Sequence, residues 1–253
     1  MLVFLSVFPF HTAASGDRGR LPSIVMILAD DLGYGELGCD GQPLIQTPCL
    51  DRMAAEGLRF TRFYAGATVC APSRSVLMTG QHHGRTRVRG NAGAANPAAQ
   101  ALRDEDRTVA ELLQSAGYRT ALFGKWGLGD VGAAASGLPG RQGFDEFFGY
   151  LNQQHAHNHF PAFLWENERR VQLRNKVREV GDTGAGYAEE AVEYADDLGA
   201  ERSLRCVREN RDRPCFWGGV GCPRPPQTGG RATRRMVPPA PPVVPLGRGD
   251  CPR

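Results

Sequence analysis

One short apolar run followed by two adjacent carboxylates constrains the fold most. Residues 23–29 read SIVMILA, are rich in β-branched side chains and lead directly into Asp30 and Asp31. A continuous apolar run of this length is typical of a strand buried on both faces, as in a parallel sheet. Ligands of such sheets bind beyond the carboxyl ends of the strands. The sequence therefore predicts a largely parallel sheet with Asp30 and Asp31 at its functional edge.

Strands and helices alternate along the chain after this run. Helix beginnings and ends are indicated by capping residues such as Thr47, Pro48 and Gly57 around the first helix. The predicted strands cover residues 23–29, 58–64 and 118–123, and the predicted helices cover 47–57, 72–79, 108–116, 188–198 and 202–210. Alternation of this kind favours an α/β domain with a mostly parallel central sheet flanked by helices.

Charge is distributed unevenly between the body and the end of the chain. The net charge is +3 over 253 residues, but residues 214–253 alone contain six Arg and one Asp. Residues 1–213 therefore carry a net charge of −2, which gives no support for nucleic-acid binding. No apolar run reaches the ~20 residues that a membrane-spanning helix requires, so we expect no stable membrane insertion.

Both ends of the chain differ from the body. Residues 1–10 (MLVFLSVFPF) are apolar and small residues follow, so residues 1–15 are predicted to be a signal peptide of a secreted or periplasmic protein. The alternatives for this segment are a slightly mis-started N-terminus or a buried strand. Residues 214–253 contain ten Pro and seven Gly, which predicts an irregular tail. Because the change in composition is abrupt, we also hypothesise that this tail is translated out of frame.

Two places in the body carry residue types suited to catalysis. Asp30 and Asp31 repel each other, and a hard divalent cation would relieve that repulsion; the alternative is a solvated turn. Cys70 stands at a predicted helix N-terminus with Arg74 one turn further on, which favours thiolate or oxyanion chemistry. The alternative for Cys70 is a small buried apolar residue, as most free cysteines are.

Several ordered motifs resemble those of one enzyme family. Residues 70–80 (CAPSRSVLMTG) are similar to the C-x-P-S-R and L-x-T-G signature of the type I, formylglycine-dependent sulfatases. Residues 24–33 (IVMILADDLG) resemble the opening strand of that family with its acidic pair. Residues 108–129 resemble its helix-strand segment with a G-K-W motif, and residues 143–158 continue it. Order and spacing agree over residues 22–213, which is far more specific than any one motif.

The resemblance implies a fold, cofactors and residue roles. The fold would be an alkaline-phosphatase-like sandwich, represented by residues 22–213 and truncated on its C-terminal side. Cys70 would be converted to formylglycine by a formylglycine-generating enzyme, and its hydrate would attack the sulfur of a sulfate ester. Asp30, Asp31 and the modified Cys70 would bind Ca²⁺ or another divalent cation such as Mg²⁺. Arg74 would stabilise the modified residue.

The same resemblance implies that Lys125 contacts the sulfate, and it also exposes a departure. Many members of the family have G-K-W-H, whereas Gly127 occupies the histidine position here. His155, His157 and His159 would share one face if that segment were extended, so His155 and His157 are candidate substrate-binding residues. The alternative is that they are structural or surface histidines.

Three hypotheses for function follow. The first is hydrolysis of a sulfated small molecule or glycan by an arylsulfatase-like enzyme. The second is hydrolysis of phosphate or phosphonate monoesters, because the same superfamily carries out both reactions. The third is that the chain is an inactive truncated fragment, since the resemblance implies further metal ligands that residues 214–253 do not contain.

Overall fold

A computed structural model describes residues 2–8, 21–91 and 96–221. The chain divides into two compact units. Within the described residues, the larger unit contains residues 2–8, 21–32, 63–91 and 96–221, and the smaller contains residues 33–62. The smaller unit holds helix α1 (Pro48–Glu56), which begins after Thr47 with Pro48 in its first turn, as predicted. All of the residues proposed for chemistry belong to the larger unit.

The larger unit is built on a seven-stranded sheet with the order β1-β2-β9-β3-β4-β5-β6. Its strands are β1 (Leu2–Phe8), β2 (Ser23–Ala29), β3 (Arg119–Lys125), β4 (Glu146–Tyr150), β5 (Phe163–Glu166), β6 (Arg169–Gln172) and β9 (Cys215–Gly221). The four central strands β2, β9, β3 and β4 are parallel, and the outer pairings are antiparallel. A separate antiparallel hairpin pairs β7 (Lys176–Glu179) with β8 (Gly186–Glu190). The prediction of a mostly parallel central sheet is confirmed.

Helices cover both faces of this sheet. Helices α2 (Cys70–Thr79) and α3 (Val109–Ser115) contribute to one core with Leu122 and Phe147. Helix α4 (Ala195–Glu209) contributes to a second core with Phe123 and Phe148. Because neighbouring residues of β3 point into different cores, β3 is buried on both faces. In the part of the chain that the structure describes, no helix is long and apolar enough to cross a membrane.

Strand β2 differs in part from its prediction. Met26 and Leu28 are buried, but Ile27, which points to the opposite face, is 38% exposed. Strand β1 pairs antiparallel with β2. Residues 2–8 therefore form a strand, which the sequence analysis gave as an alternative to a signal peptide. Cleavage of a signal peptide stays a prediction, and residues 9–20 lie outside the described residues.

Two predictions of secondary structure were wrong. Residues 58–64 form no strand: Leu58, Phe60 and Tyr64 are exposed, so the alternation does not mark a half-buried face. The helix predicted over 188–198 begins instead as β8 and is helical only from Ala195. The helix predicted over 202–210 is confirmed as the second half of α4. Pairing with β7 holds residues 186–190 extended, and this pairing partner is not evident from the local pattern.

The predicted beginning of the irregular tail was also wrong. Residues 215–221 form β9, which lies between β2 and β3 in the middle of the sheet. Glycine is tolerated there because the backbone pairs on both sides, and a Cβ on Gly218 would come within 3.2 Å of Leu122. Residues 222–253 lie outside the described residues, so the remaining tail and the out-of-frame hypothesis stay predictions.

Candidate active site

The candidate site is centred on a buried carboxylate at the carboxyl edge of the parallel strands. Asp30 directly follows β2 and is 4% exposed. Lys125 is the last residue of β3, and its Nζ donates to Asp30 Oδ2 at 2.8 Å. Because β2 and β3 both run parallel to β9, their carboxyl ends reach the same edge and bring these two side chains together.

Arg74 supplies a second cation to the same carboxylate. It lies on α2 and its side chain is almost fully buried. Its Nη2 lies 3.3 Å from Asp30 Oδ1, and its Nη1 donates to the backbone oxygen of Lys125 at 2.5 Å. Two buried cations therefore surround one carboxylate, leaving an excess of one positive charge.

The two cations determine the ionisation of Asp30. Burial by itself would raise the pKa of this carboxyl group, because a charged form loses hydration. The charges of Arg74 and Lys125, together with the hydrogen bond from Lys125, outweigh that effect, so the pKa of Asp30 lies below its usual value. Asp30 is therefore ionised at neutral pH.

Arg74 also has hydrogen-bonding capacity left over. Its Nε and Nη2 are buried and form no hydrogen bond with the described residues; the Nη2 contact with Asp30 is an ion pair without hydrogen-bond geometry. An unsatisfied buried donor costs about 1–3 kcal/mol. The unsatisfied N–H groups of Arg74 therefore match the acceptor oxygens of a bound oxyanion.

Cys70 lies beside this cluster as the first residue of α2. It is half-buried, and its Sγ lies 4.0 Å from Asp30 Oδ2. Val69 precedes the helix in an extended conformation and provides no side-chain cap. Instead, Asn91 Oδ1 accepts a hydrogen bond from the backbone N–H of Ala71 at 3.0 Å. The position next to Cys70 is thus fixed by a residue from a distant loop.

Sequence reasoning missed Asn91. Asn91 lies outside every helix and strand that the sequence predicts. Asparagine is a good acceptor for free N–H groups at helix N-termini, but this one lies 20 residues beyond the N–H that it caps. No local pattern marks such a contact.

Asp31 does not share the environment of Asp30. It is exposed, and its backbone is left-handed with φ 58°.

Two neighbouring carboxylates suit a hard cation such as Ca²⁺, which takes about six to eight oxygen ligands. No group of three or more His, Cys, Asp or Glu side chains that could hold a metal ion occurs among the described residues. The residues therefore fit such a cation in type but not in number, and metal binding by Asp30, Asp31 and Cys70 stays a prediction.

The histidine segment is not extended, so the condition under which its histidines would share one face is not met. His155–His157 form a 3-10 turn, in which Asn152 Oδ1 accepts from the backbone N–H of His155 at 2.9 Å. His155 is fully buried, whereas His157 is exposed. The rings of Tyr150 and Phe163 lie 4.9 and 4.5 Å from the His155 ring, centroid to centroid. Substrate binding by His155 and His157 stays a prediction.

Comparisons with known proteins agree with these motifs. The profile of the sulfatase family matches residues 22–217. Human arylsulfatase A is 49% identical over 131 residues, which is 51% of this chain and 25% of that protein. The steryl-sulfatase of Rattus norvegicus is 40% identical over 156 residues, covering 59% and 27%. The matched part of this chain thus spans about a quarter of the length of these curated relatives.

Solved structures show the same fold. A structure from a study of glycosaminoglycan metabolism by Bacteroides thetaiotaomicron superposes with a TM-score of 0.63 at 26% identity, covering 80% of this chain and 51% of that one. A second structure, bound to its substrate D-glucosamine-2-N,6-O-disulfate, has a TM-score of 0.58 at 28% identity, covering 80% and 35%. These likenesses confirm the alkaline-phosphatase-like fold that the sequence predicts.

Proposed function

The chain belongs to the sulfatase family, and we propose that it hydrolyses sulfate esters at the site where Cys70, Arg74 and Lys125 lie together. One observation carries this proposal: two buried cations share a single carboxylate beside Cys70, and Arg74 keeps two buried donors without hydrogen bonds. A sulfate ester brings the negative charge and the acceptor oxygens that this arrangement lacks. The sulfate-ester relatives support the same assignment.

Lys125 and Arg74 bind the sulfate group in this proposal. The ammonium of Lys125 has three donors, and the one bond to Asp30 leaves two for sulfate oxygens. Arg74 is held by the backbone oxygen of Lys125, so its free N–H groups point in a fixed direction. Preorganised donors in a buried site stabilise charge that builds up on oxygen in the transition state.

Cys70 is the proposed position of the nucleophile. Formylglycine made from Cys70 would supply a hydrated aldehyde, which is the nucleophilic chemistry of the family. Cys70 is half-buried at the beginning of α2, and the ionised Asp30 carboxylate lies 4.0 Å from its Sγ. Asp30 Oδ2 is thus placed to accept a hydrogen bond from a hydroxyl group at this position.

Asp30 and Asp31 are the proposed protein ligands of a divalent cation, Ca²⁺ or Mg²⁺, together with the modified Cys70. Such an ion would offset negative charge on the sulfate oxygens. The proposed substrate is a sulfated small molecule or glycan, and the proposed maturation partner is a formylglycine-generating enzyme. We also propose that the protein is exported, on the basis of the apolar residues 1–10 and the small residues that follow them up to residue 15.

Turnover of matched aryl sulfate and aryl phosphate esters tests this proposal. We expect hydrolysis of the sulfate, and its loss by about 100-fold or more in Lys125→Ala, as for removal of one buried charge-stabilising donor. Lys176→Ala is the matched control, because the side chain of this second lysine is 65% exposed and lies on β7. Equal rates in the two variants would contradict the role of Lys125.

Peptide mass spectrometry over residues 63–74 tests the nucleophile separately. Conversion of Cys70 to formylglycine changes the mass of this peptide, and Cys70→Ala provides the unconverted control. Faster hydrolysis of the phosphate would favour a phosphate or phosphonate ester hydrolase. Absence of turnover with a converted Cys70 would favour an inactive fragment.

A further inference from the structure

A cavity of about 220 Å³ lies in the larger unit. Most of its lining comes from the segments that follow β3 and β4, from strands β5 and β6, and from the turn between β7 and β8. The residues proposed for sulfate-ester chemistry do not belong to this lining; they are Asp30, Asp31, Cys70, Arg74 and Lys125. The ligand that the cavity can take is therefore decided by its own side chains.

Arg170 is held in one orientation at the wall of this cavity. The pairing of β5 with β6 sets it directly opposite Trp165. Its guanidinium carbon lies 4.4 Å from the ring centroid of Phe163 and 5.1 Å from that of Trp165. These two rings are buried and meet edge to face, with their centroids 5.8 Å apart. Cation–π contacts with two buried rings restrict the motion of the guanidinium group.

The N–H groups of this guanidinium are available to a ligand. Arg170 is exposed and lines the cavity, and its side chain forms no hydrogen bond or ion pair with the described residues. A guanidinium group carries five donors in a rigid fork, which matches the two oxygens of a carboxylate. Arg170 can therefore accept a carboxylate in the cavity without giving up an existing bond.

Two carboxylates line the same cavity. Asp182 is exposed and forms no ion pair with the described residues, Arg170 included. Asp130 is fixed by two hydrogen bonds: its Oδ1 accepts from the N–H of Val131 and its Oδ2 from Asn152 Nδ2, both at 2.8 Å. Each of these oxygens keeps a further lone pair. The lining thus offers acceptors for a cationic group.

The signs of these charges restrict the ligand. Arg170, Asp130 and Asp182 are the charged residues of the lining. An anion would meet two carboxylates, and a simple cation would meet the guanidinium group. A ligand that carries one group of each sign can pair with both. Charge complementarity therefore favours a zwitterion.

The size and the apolar part of the cavity restrict the ligand further. Pockets for drug-sized ligands measure about 300–1,000 Å³, so this cavity suits a smaller molecule. The side chains of Val131, Leu151, Phe163 and Trp165 form its apolar lining. A small ligand that fits therefore has an apolar group beside its two charged groups.

We infer that this cavity binds a free α-amino acid with an apolar side chain. Arg170 binds the carboxylate of the amino acid, and Asp182 and Asp130 bind its ammonium group. Its side chain packs on the apolar lining. This inference adds a second binding site to the chain and does not depend on the proposed hydrolysis of sulfate esters.

Three probes of nearly the same shape test the inference on the full chain. L-leucine carries both charges, L-leucinamide lacks the carboxylate and N-acetyl-L-leucine lacks the ammonium group. Dissociation constants come from ligand-observed NMR titration at about pH 6.5, where the amino groups are protonated. We expect the wild type to bind leucine about 10-fold or more tightly than either analogue, the effect of one charged hydrogen-bonded pair.

Variants assign each charge to its residue. Arg170→Met keeps an apolar cover on the two rings and should weaken leucine binding about 10-fold, with no further loss for leucinamide. Arg169→Met is the matched control, because this neighbour points to the opposite face of β6 and does not line the cavity. Asp182→Asn should weaken leucine binding about 3-fold or more and leave N-acetyl-leucine unchanged. Asp212→Asn, an exposed aspartate outside the cavity, should change neither.

Two results would overturn the inference. The first is equal binding of the three probes to the wild type, or no binding of leucine. The second is an equal loss for leucine and leucinamide in Arg170→Met, which indicates a general disturbance of the cavity. If Arg170→Met does not fold, the order of the three probes on the wild type and their response to Asp182→Asn decide the question.

Discussion

The buried ring of His155 should make the fold sensitive to acid. His155 is fully buried between the rings of Tyr150 and Phe163. The pKa of His155 falls from 6.5 to about 4, mainly because burial disfavours the charged ring. The Phe163 backbone opposes this effect, and the charge of Arg170 adds a smaller lowering. His155 is therefore neutral in the folded protein at neutral pH, so it carries no imidazolium proton for acid catalysis there.

The sign of the effect follows from this difference in pKa. As the pH falls below about 6.5, the unfolded chain binds a proton at His155 before the folded chain does. The stabilisation from the neutral ring is therefore complete above pH 6.5 and is lost as the pH falls toward 4. A difference of about 2.5 pKa units corresponds to about 3 kcal/mol of unfolding free energy in total.

Urea unfolding at pH 7.5 and pH 4.5 measures this loss. Comparing wild type with His155→Leu removes the contribution of other titrating groups. We expect the wild type to lose about 2.5 kcal/mol more than His155→Leu between the two pH values. His157→Asn, at an exposed position of the same turn, should behave as the wild type does. Equal losses in wild type and His155→Leu would refute the reasoning.

Three further predictions concern the site and its support. Asp30→Asn leaves two buried cations without their carboxylate, so urea unfolding should show that the unfolding free energy falls by about 3–5 kcal/mol. Asp31→Asn, at an exposed position, should cost about 0.5 kcal/mol or less, and similar losses in both variants would contradict the ion-pair geometry. Thr108→Ala removes the N-terminal cap of α3 and a hydrogen bond to Gln142 O, so thermal unfolding should show that the unfolding free energy falls by about 1–2 kcal/mol. Ser115→Ala, at the other end of the same helix, is the control and should have a smaller effect. Calorimetric titration of the full chain with Ca²⁺ should show dissociation constants of about a millimolar or weaker, because two carboxylates supply only part of a calcium shell; tight stoichiometric binding would show that further ligands are present.

The local motifs were sufficient to predict that residues of the candidate site lie together, because these residues stand at the ends of elements with clear patterns. The apolar run of β2 ends at Asp30, and the predicted strand 118–123 is β3, which ends at Lys125. A parallel sheet places both ends at one edge, so membership of one sheet was enough to bring them together. Cys70 and Arg74 lie one turn apart on α2, as their spacing predicts.

Misassigned elements had patterns whose meaning depends on a distant partner. Residues 58–64 alternate as a half-buried strand does, but no strand pairs with them in the described parts of the chain. Residues 215–221 contain glycines, which are typical of irregular segments. Pairing with β2 on one side and β3 on the other nevertheless makes them an inner strand of the sheet. The local pattern records only which side chains could be buried, whereas pairing decides whether they are.

Finer features of the site were settled by contacts between residues far apart in sequence. Asn91 caps the N–H of Ala71, Gln153 fills the space beside Gly127, and aromatic rings enclose His155. The sequence by itself determined the class of fold and the family, because these depend on short motifs in a fixed order; Cys70 as the nucleophile stays a prediction from the same motifs. Only the tertiary structure decided that Asp30 is ion-paired with two cations, that Asp31 is exposed, and that the Gln153 amide lies against Gly127. The reason is physical: burial and hydrogen-bond satisfaction belong to a position in space, which segments distant along the chain create together.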